Sequence, residues 1–113
     1  MRTGDPMQKY EQVTLTGRSG AQYTFAILLR NTTFKAEPGV YVMARALGGN
    51  EYEIVLVGEK ADLSKRPLDP DKVPCINRSG VDHIFLIEER DQRKRADIVK
   101  DLAQAYGPVC NTL

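Results

Sequence analysis

The sequence predicts an α+β domain in which a three-stranded antiparallel sheet is flanked by helices and preceded by an extra N-terminal β-hairpin. Three observations lead to this fold class. Two pairs of short apolar runs are each separated by a glycine-containing turn, which is typical of hairpins. A further apolar run stands alone later in the chain, and a long segment of helical periodicity closes it.

The first pair of runs predicts the extra hairpin, over residues 12–28. Val13 and Leu15 alternate with threonines in the first run, and Tyr23, Phe25 and Ile27 alternate with other residues in the second. Strict alternation places the apolar side chains on one face of a strand. The glycine-rich stretch between the two runs supplies the turn.

The second pair predicts the first two strands of the main sheet, over residues 40–44 and 53–57. Gly48, Gly49 and Asn50 form the turn between them, and so short a link requires antiparallel pairing. The isolated run at residues 81–87 predicts the third strand. Its apolar side chains fall on both faces, which indicates a buried, central strand.

Two helices are expected around this sheet. Asp62 is placed to cap a short helix over residues 63–66, and residues 67–80 are expected to be mostly irregular. From Asp91 onwards a helical stripe ends at Gly107-Pro108, where glycine favours a helix terminus and proline cannot continue one. The stripe consists of Ile98, Val99, Leu102, Ala103 and Tyr106.

Length and composition describe an ordinary globular chain. The 113 residues are 42% hydrophobic and 27% charged, and the net charge of +1 provides no global basic field that would by itself indicate nucleic-acid binding. Residues 1–9 are expected to be flexible and residues 10–113 to form a single domain. Cys75 and Cys110 are expected to be free thiols. Without a signal peptide or an apolar span, the predicted location is cytoplasmic.

Several short stretches, taken in order, carry a resemblance to a known family. They follow one another on the predicted strand, strand, helix and final helix. They are GVY at 39–41, LVG at 56–58, Leu63 with Arg66, and Tyr106-Gly107-Pro108 with Asn111. Together they resemble the GIY-YIG endonuclease domain, and the likeness covers residues 38–111. The hairpin at residues 12–28 lies outside it.

The resemblance implies a domain that cleaves a phosphodiester bond with one divalent metal ion, usually magnesium. Tyr41 matches the first motif tyrosine, which helps to activate the attacking water. Arg66 matches the arginine that steadies the phosphate, and Asn111 matches the asparagine that braces the site. Gly39 and Gly58 fall on the motif glycines, where they would allow close backbone approach or a positive φ.

Two positions depart from the family pattern. The second motif tyrosine falls on Leu56, which has no hydroxyl, and the metal-binding glutamate falls on Val99. Magnesium takes oxygen ligands, and Asp97 and Asp101 are each rotated by about 200° from Val99 around the helix. The predicted function is therefore a GIY-YIG-like domain with impaired cleavage. Its metal site is predicted to be lost, so Mg²⁺ or Mn²⁺ would matter only if activity is retained.

Two alternatives remain open. The same cleft could bind DNA or another nucleic acid without cutting it, with Lys60, Lys65 and Arg66 contacting phosphates. Otherwise the hairpin could pair with another chain through its exposed edge, which would make the protein an interaction unit or a homo-oligomer. Arg66 could also be only a solvated arginine at a helix end. His83, the single histidine, is expected to be a packed strand residue.

Overall fold

A computed structural model of the chain describes residues 11–112. These residues form one five-stranded sheet in which every neighbouring pair is antiparallel and the strand order is β1-β2-β5-β3-β4. The strands are β1 Gln12–Thr16, β2 Gln22–Leu29, β3 Gly39–Gly48, β4 Glu51–Lys60 and β5 His83–Glu88. Two α-helices are present, α1 Val73–Arg78 and α2 Gln92–Tyr106, together with short 3-10 segments at Pro70–Lys72 and Val109–Thr112.

The predicted three-stranded sheet with a separate hairpin is wrong. Both predicted hairpins exist, but β2 pairs with β5, with Ile27 opposite Phe85, so the first hairpin is an integral part of the sheet. The physical reason lies in β5. A strand that is apolar on both faces needs covered faces and a paired neighbour on each side, and β2 and β3 supply those neighbours.

The sheet has two apolar faces, each with its own core cluster. Alternation along the strands assigns side chains to them. Tyr41, Met43, Leu56, Ile84 and Leu86 belong to one cluster, and this side is called the groove face. The opposite side, the helix face, carries Phe25, Val40, Val42, Phe85 and Leu102.

Helix α2 covers the helix face, as its predicted stripe requires. The carboxylate of Asp91 accepts hydrogen bonds from the backbone N–H groups of Arg93 and Lys94, which caps the first turn. Gly107 ends the helix at φ 55°, a left-handed conformation that glycine adopts without a steric penalty. Ile98 and Val99 pack against the cluster that contains Leu102.

The expected helix at residues 63–66 is absent, and that prediction is wrong. Asp62 instead closes a local turn, because its Oδ1 accepts bonds from both the backbone N–H and the hydroxyl of Ser64. The residue before a proline is also disfavoured in the helical region, and Pro67 follows directly. Helical structure forms later, at Pro70–Lys72 and in α1, within the stretch expected to be irregular. Proline is well tolerated in a first helical turn, and both segments begin with one there.

The expectation of free thiols is also wrong, because Cys75 and Cys110 form a disulfide. Cys75 lies in α1 and Cys110 in the 3-10 segment Val109–Thr112, and both side chains are buried on the groove face. A separation of 35 residues gives no hint of pairing in the sequence. The two segments meet only because both pack on the same side of the sheet.

The flexible segment predicted at residues 1–9 lies outside the described residues. Within residues 11–112, no helix combines the length and the apolar character that crossing a bilayer requires.

Candidate functional site

A groove opens on the groove face, between the sheet and the segments that cover it. Its volume is about 440 Å³. Met43 of β3 and Ile84 of β5 form its floor, while Val73 and Ile76 of α1 form one wall. The remaining lining comes from two loops and consists of Arg30, Asn31, Thr33, Arg66, Pro67 and Leu68. The groove thus combines an apolar interior with two arginines.

Arg66 lines this groove and also joins two loops. Its Nη1 donates to the carbonyl oxygen of Leu63 at 2.7 Å, and its Nη2 donates to the carbonyl oxygen of Thr32 at 2.8 Å. The first bond stays within the loop of Arg66, and the second crosses to the loop that follows β2. The guanidinium is therefore held in one place, with N–H groups left over from its five.

Arg30 is held in the same way from the other loop. Its guanidinium donates to the carbonyl oxygen of Val81 and to the side-chain oxygen of Asn77. Within residues 11–112, neither Arg30 nor Arg66 forms an ion pair with a carboxylate. Partial burial of the guanidinium lowers the pKa of Arg66. Two fixed cations without a counter-charge favour an anionic ligand.

Tyr41 lies beneath this surface with only 3% of its area exposed. Its hydroxyl donates to Oδ2 of Asp69 at 3.3 Å. Burial and the nearby Asp69 carboxylate raise the pKa of Tyr41 above its ordinary value of 10.0. A buried phenol that already donates to a carboxylate resists deprotonation, so Tyr41 is poorly suited to activating a water molecule as a base.

Gly39 and Gly58 serve close approach rather than a positive φ. Gly58 stands opposite Tyr41 in the strand pair, and a Cβ at position 58 would lie 2.3 Å from Cζ of the tyrosine ring. A Cβ at position 39 would lie 2.2 Å from the carbonyl oxygen of Ile87. Both glycines therefore allow the strands and the Tyr41 ring to pack at contact distance.

Asn111 contacts Val57, not Tyr41. Its side-chain Oδ1 accepts from the Val57 N–H at 2.8 Å, and its Nδ2 donates to the Val57 carbonyl oxygen at 2.9 Å. The amide thus occupies the position that a further strand would take beside β4, an edge strand. Asn111 braces the sheet and makes no contact with the groove.

Of the three predicted phosphate-binding cations, only Arg66 lines the groove. Lys60 ends β4 opposite Gly39, and Lys65 is exposed in the loop before Arg66. Arg30, which the sequence did not single out, takes their place. Its position directly after the apolar run of β2 is the one sequence signal that could have drawn attention to it.

Leu56 and Val99, the two residues that depart from the family pattern, lie on opposite faces of the sheet. Leu56 packs with Tyr41 on the groove face, whereas Val99 packs on the helix face. Asp101 points to the first hairpin, where its carboxylate accepts bonds from Ser19 and Tyr23. In the described part of the chain, no three His, Cys, Asp or Glu side chains form a group that could hold a metal ion. These residues do not fit the magnesium site that the resemblance implies.

Sequence reasoning also missed a buried ion pair. Arg95, 5% exposed, places its Nε 2.6 Å from Oε1 of Glu59, and its Nη1 donates to the carbonyl oxygens of Glu89 and Arg90. In the sequence, Arg95 belongs to the dense charged run at residues 88–95, which is typical of a solvated helix entry. Its spacing of three and four residues from Ile98 and Val99 places it on the apolar stripe of α2, and that spacing was the available signal.

His83 is a packed strand residue, in agreement with its prediction. Its ring meets Tyr52 edge to face, with the centroids 5.4 Å apart, and its Nδ1 lies 2.7 Å from Oδ1 of the neighbouring Asp82. These two contacts hold the side chain at the first residue of β5.

Comparison with protein-family models, with curated proteins and with solved structures produced no match.

Proposed function

We propose that this protein binds nucleic acid at the groove without cleaving it. The observation that carries the proposal is the pair of guanidinium groups, Arg30 and Arg66, held over one groove by neutral acceptors. Guanidinium groups bind phosphate through charge-assisted, often bidentate hydrogen bonds. Nucleic acid is the class of phosphate ligand that the sequence resemblance favours.

Impaired cleavage is supported by the surroundings of two residues. The Tyr41 hydroxyl is buried against Asp69, and Val99 packs on the opposite face of the sheet from Tyr41. Phosphodiester hydrolysis requires more than 10 kcal/mol of barrier lowering, whereas a single electrostatic contact supplies roughly 3 kcal/mol. Arg66 and Arg30 alone fall well short of that requirement.

Binding can be tested by fluorescence anisotropy with labelled DNA over a salt series from about 50 to 200 mM. Arg30→Gln and Arg66→Gln should each weaken binding and lower the slope of log affinity against log salt by roughly 0.7–0.9. Arg66→Lys keeps the charge and should lose less than Arg66→Gln. The matched control is Arg45→Gln, because Arg45 is exposed and paired with Glu53. Equal losses for Arg45→Gln and Arg66→Gln would contradict the assignment to the groove.

Cleavage needs a separate assay, with Mg²⁺ or Mn²⁺ and single-stranded, duplex and branched DNA. We expect no product above background. Robust cutting that disappears in Arg66→Gln would show that the protein is an active nuclease and would overturn the non-cleaving proposal.

A role as an interaction unit or homo-oligomer stays a second candidate, because β1 is an edge strand of the sheet within residues 11–112. The Thr16 N–H bonds to the Tyr106 hydroxyl and not to β2, so the N–H of Thr14, two residues away, points outwards as well. Thr14→Pro should leave the hairpin folded and prevent a second chain from pairing there. A concentration-independent monomer by sedimentation, for both the natural protein and Thr14→Pro, would exclude the homo-oligomer.

The cytoplasmic location remains a prediction. The Cys75–Cys110 disulfide weighs against it, since stable disulfides are more typical of oxidising compartments.

A further inference from the structure

The groove contains apolar groups that a phosphate-binding site does not need. Its two arginines come from the loops at the opening, whereas Met43, Ile76 and Ile84 supply an apolar interior. A phosphate gains nothing from apolar surface and loses solvation against it. The interior is therefore suited to a second, apolar part of the same ligand.

The available volume matches a compact organic group. At about 440 Å³, the groove falls within the range of roughly 300–1,000 Å³ that is usual for small-molecule sites. Asn31 and Thr33 line it on the same side as Arg30 and carry an amide and a hydroxyl. These are the groups that read the polar edge of a planar heterocycle in protein sites.

Among nucleic acids, only an unpaired nucleotide presents a phosphate together with an accessible flat base. In a duplex the bases are stacked, and side chains reach only their edges. Single strands and ends can place a base against protein surface while the backbone follows cationic side chains. The buried residues that line the groove are apolar, and the exposed or half-buried ones are mainly polar.

We propose that the groove holds one unstacked nucleobase of a single-stranded nucleic acid, with the adjoining phosphate at Arg30 and Arg66. This inference rests on the proposed function and defines its ligand. The base lies against Met43, Ile84 and the α1 wall, and the preference for single strands comes from that contact and not from the charges.

The decisive experiment compares three labelled probes of equal length in the anisotropy assay: a single-stranded oligonucleotide, its abasic counterpart and a blunt duplex. Burying roughly 50–100 Å² of the base against apolar side chains, at about 25 cal/mol per Å², corresponds to roughly an eight- to seventy-fold gain in affinity. The natural single strand should therefore exceed the abasic strand by at least about fivefold in affinity. Equal affinity for these two strands would overturn the inference and leave phosphate binding intact. No binding of any probe would overturn the proposed function itself.

Two variants fill the groove without removing charge. Val73→Trp introduces a large side chain from the α1 wall, and Thr33→Trp does so from an exposed position at the opening, where folding is least affected. Both should abolish the preference for the natural over the abasic strand. Leu47→Trp is the matched control, because Leu47 is 51% exposed and does not line the groove. If a folded Thr33→Trp protein keeps the full preference, the base does not bind in the groove.

Discussion

Asn111 binds Val57 through both ends of its side-chain amide, at 2.8 Å to the backbone N–H and 2.9 Å to the carbonyl oxygen. A side chain thus pairs both backbone groups of one residue on an edge strand. Without it, both backbone groups of Val57 would lose their partners in a part-buried environment, and unpaired groups of that kind are costly.

We therefore expect Asn111→Ala to lower the free energy of unfolding by about 1–3 kcal/mol. Asn111→Asp should also destabilise, because a carboxylate can accept from the Val57 N–H but cannot donate to its carbonyl oxygen. Urea denaturation would measure both variants. Unchanged stability for Asn111→Ala would show that water replaces the amide without loss.

Gly58→Ala should destabilise the protein because the new methyl group would meet the Tyr41 ring. Overpacking a tightly packed core typically costs about 1–3 kcal/mol. Since the clash is with one side chain, Gly58→Ala in a Tyr41→Ala background should cost distinctly less, and thermal or urea unfolding of the four proteins would give this coupling. If the destabilising effects of Gly58→Ala and Tyr41→Ala simply add, the cost of Gly58→Ala does not come from contact with the Tyr41 ring.

Replacing Arg95 tests the ion pair between α2 and β4. Arg95→Met keeps much of the apolar stem but leaves Glu59 without its partner. Because the Glu59 side chain is 30% exposed, we expect a loss of roughly 2–3 kcal/mol, below that of a fully buried pair. The exposed pair of Arg45 and Glu53 is the control, and Arg45→Met should cost less than about 1 kcal/mol. Similar losses of stability in Arg95→Met and Arg45→Met would contradict the expectation that burial strengthens the ion pair of Arg95 with Glu59.

Asp101 should make the docking of the first hairpin sensitive to acid. Hydrogen bonds from Ser19 and Tyr23 hold the pKa of Asp101 below its ordinary value of 3.8. A carboxylate with a depressed pKa in the folded state stabilises the protein above its unfolded-state pKa, and this contribution is lost as the pH falls through the folded value. The stability gap between the natural protein and Asp101→Asn should therefore be constant near neutrality and shrink below pH 3.8. If the stability difference between the natural protein and Asp101→Asn persists in acid, it does not come from the ionised Asp101 carboxylate.

The disulfide should contribute about 3–4 kcal/mol, as the chain-entropy estimate gives for a loop of this size. Cys75→Ser with Cys110→Ser should show that loss in urea denaturation, and reduction by a dithiol should reproduce it in the natural protein. Because Cys75 lies beside Ile76 of the groove wall, hydrogen exchange should rise in α1. Mass spectrometry after alkylation checks the starting state, and two alkylated thiols in the untreated protein would show that the bond is absent.

Much of the local structure was predictable because it depends on short-range patterns. Alternation identified the first hairpin, a short glycine-containing link between two apolar runs identified the second, and a helical stripe ended by Gly107-Pro108 identified α2. The same reasoning failed at residues 63–66, where a local side-chain turn at Asp62 replaced the expected helix. Close approach was one of the two roles expected for Gly39 and Gly58, although the groups that they approach could not be known beforehand.

The sequence alone determined where the strands of the hairpins and the final helix form, and which side chains stand at positions 41, 66 and 99. Tertiary structure decided which segments meet: the pairing of β2 with β5, the disulfide, and the meeting of Arg30 with Arg66 at one groove. The physical reason is the distance along the chain over which each interaction acts. Periodicity and capping act over a few residues, whereas strand order and loop packing depend on how apolar faces far apart in the chain are buried together.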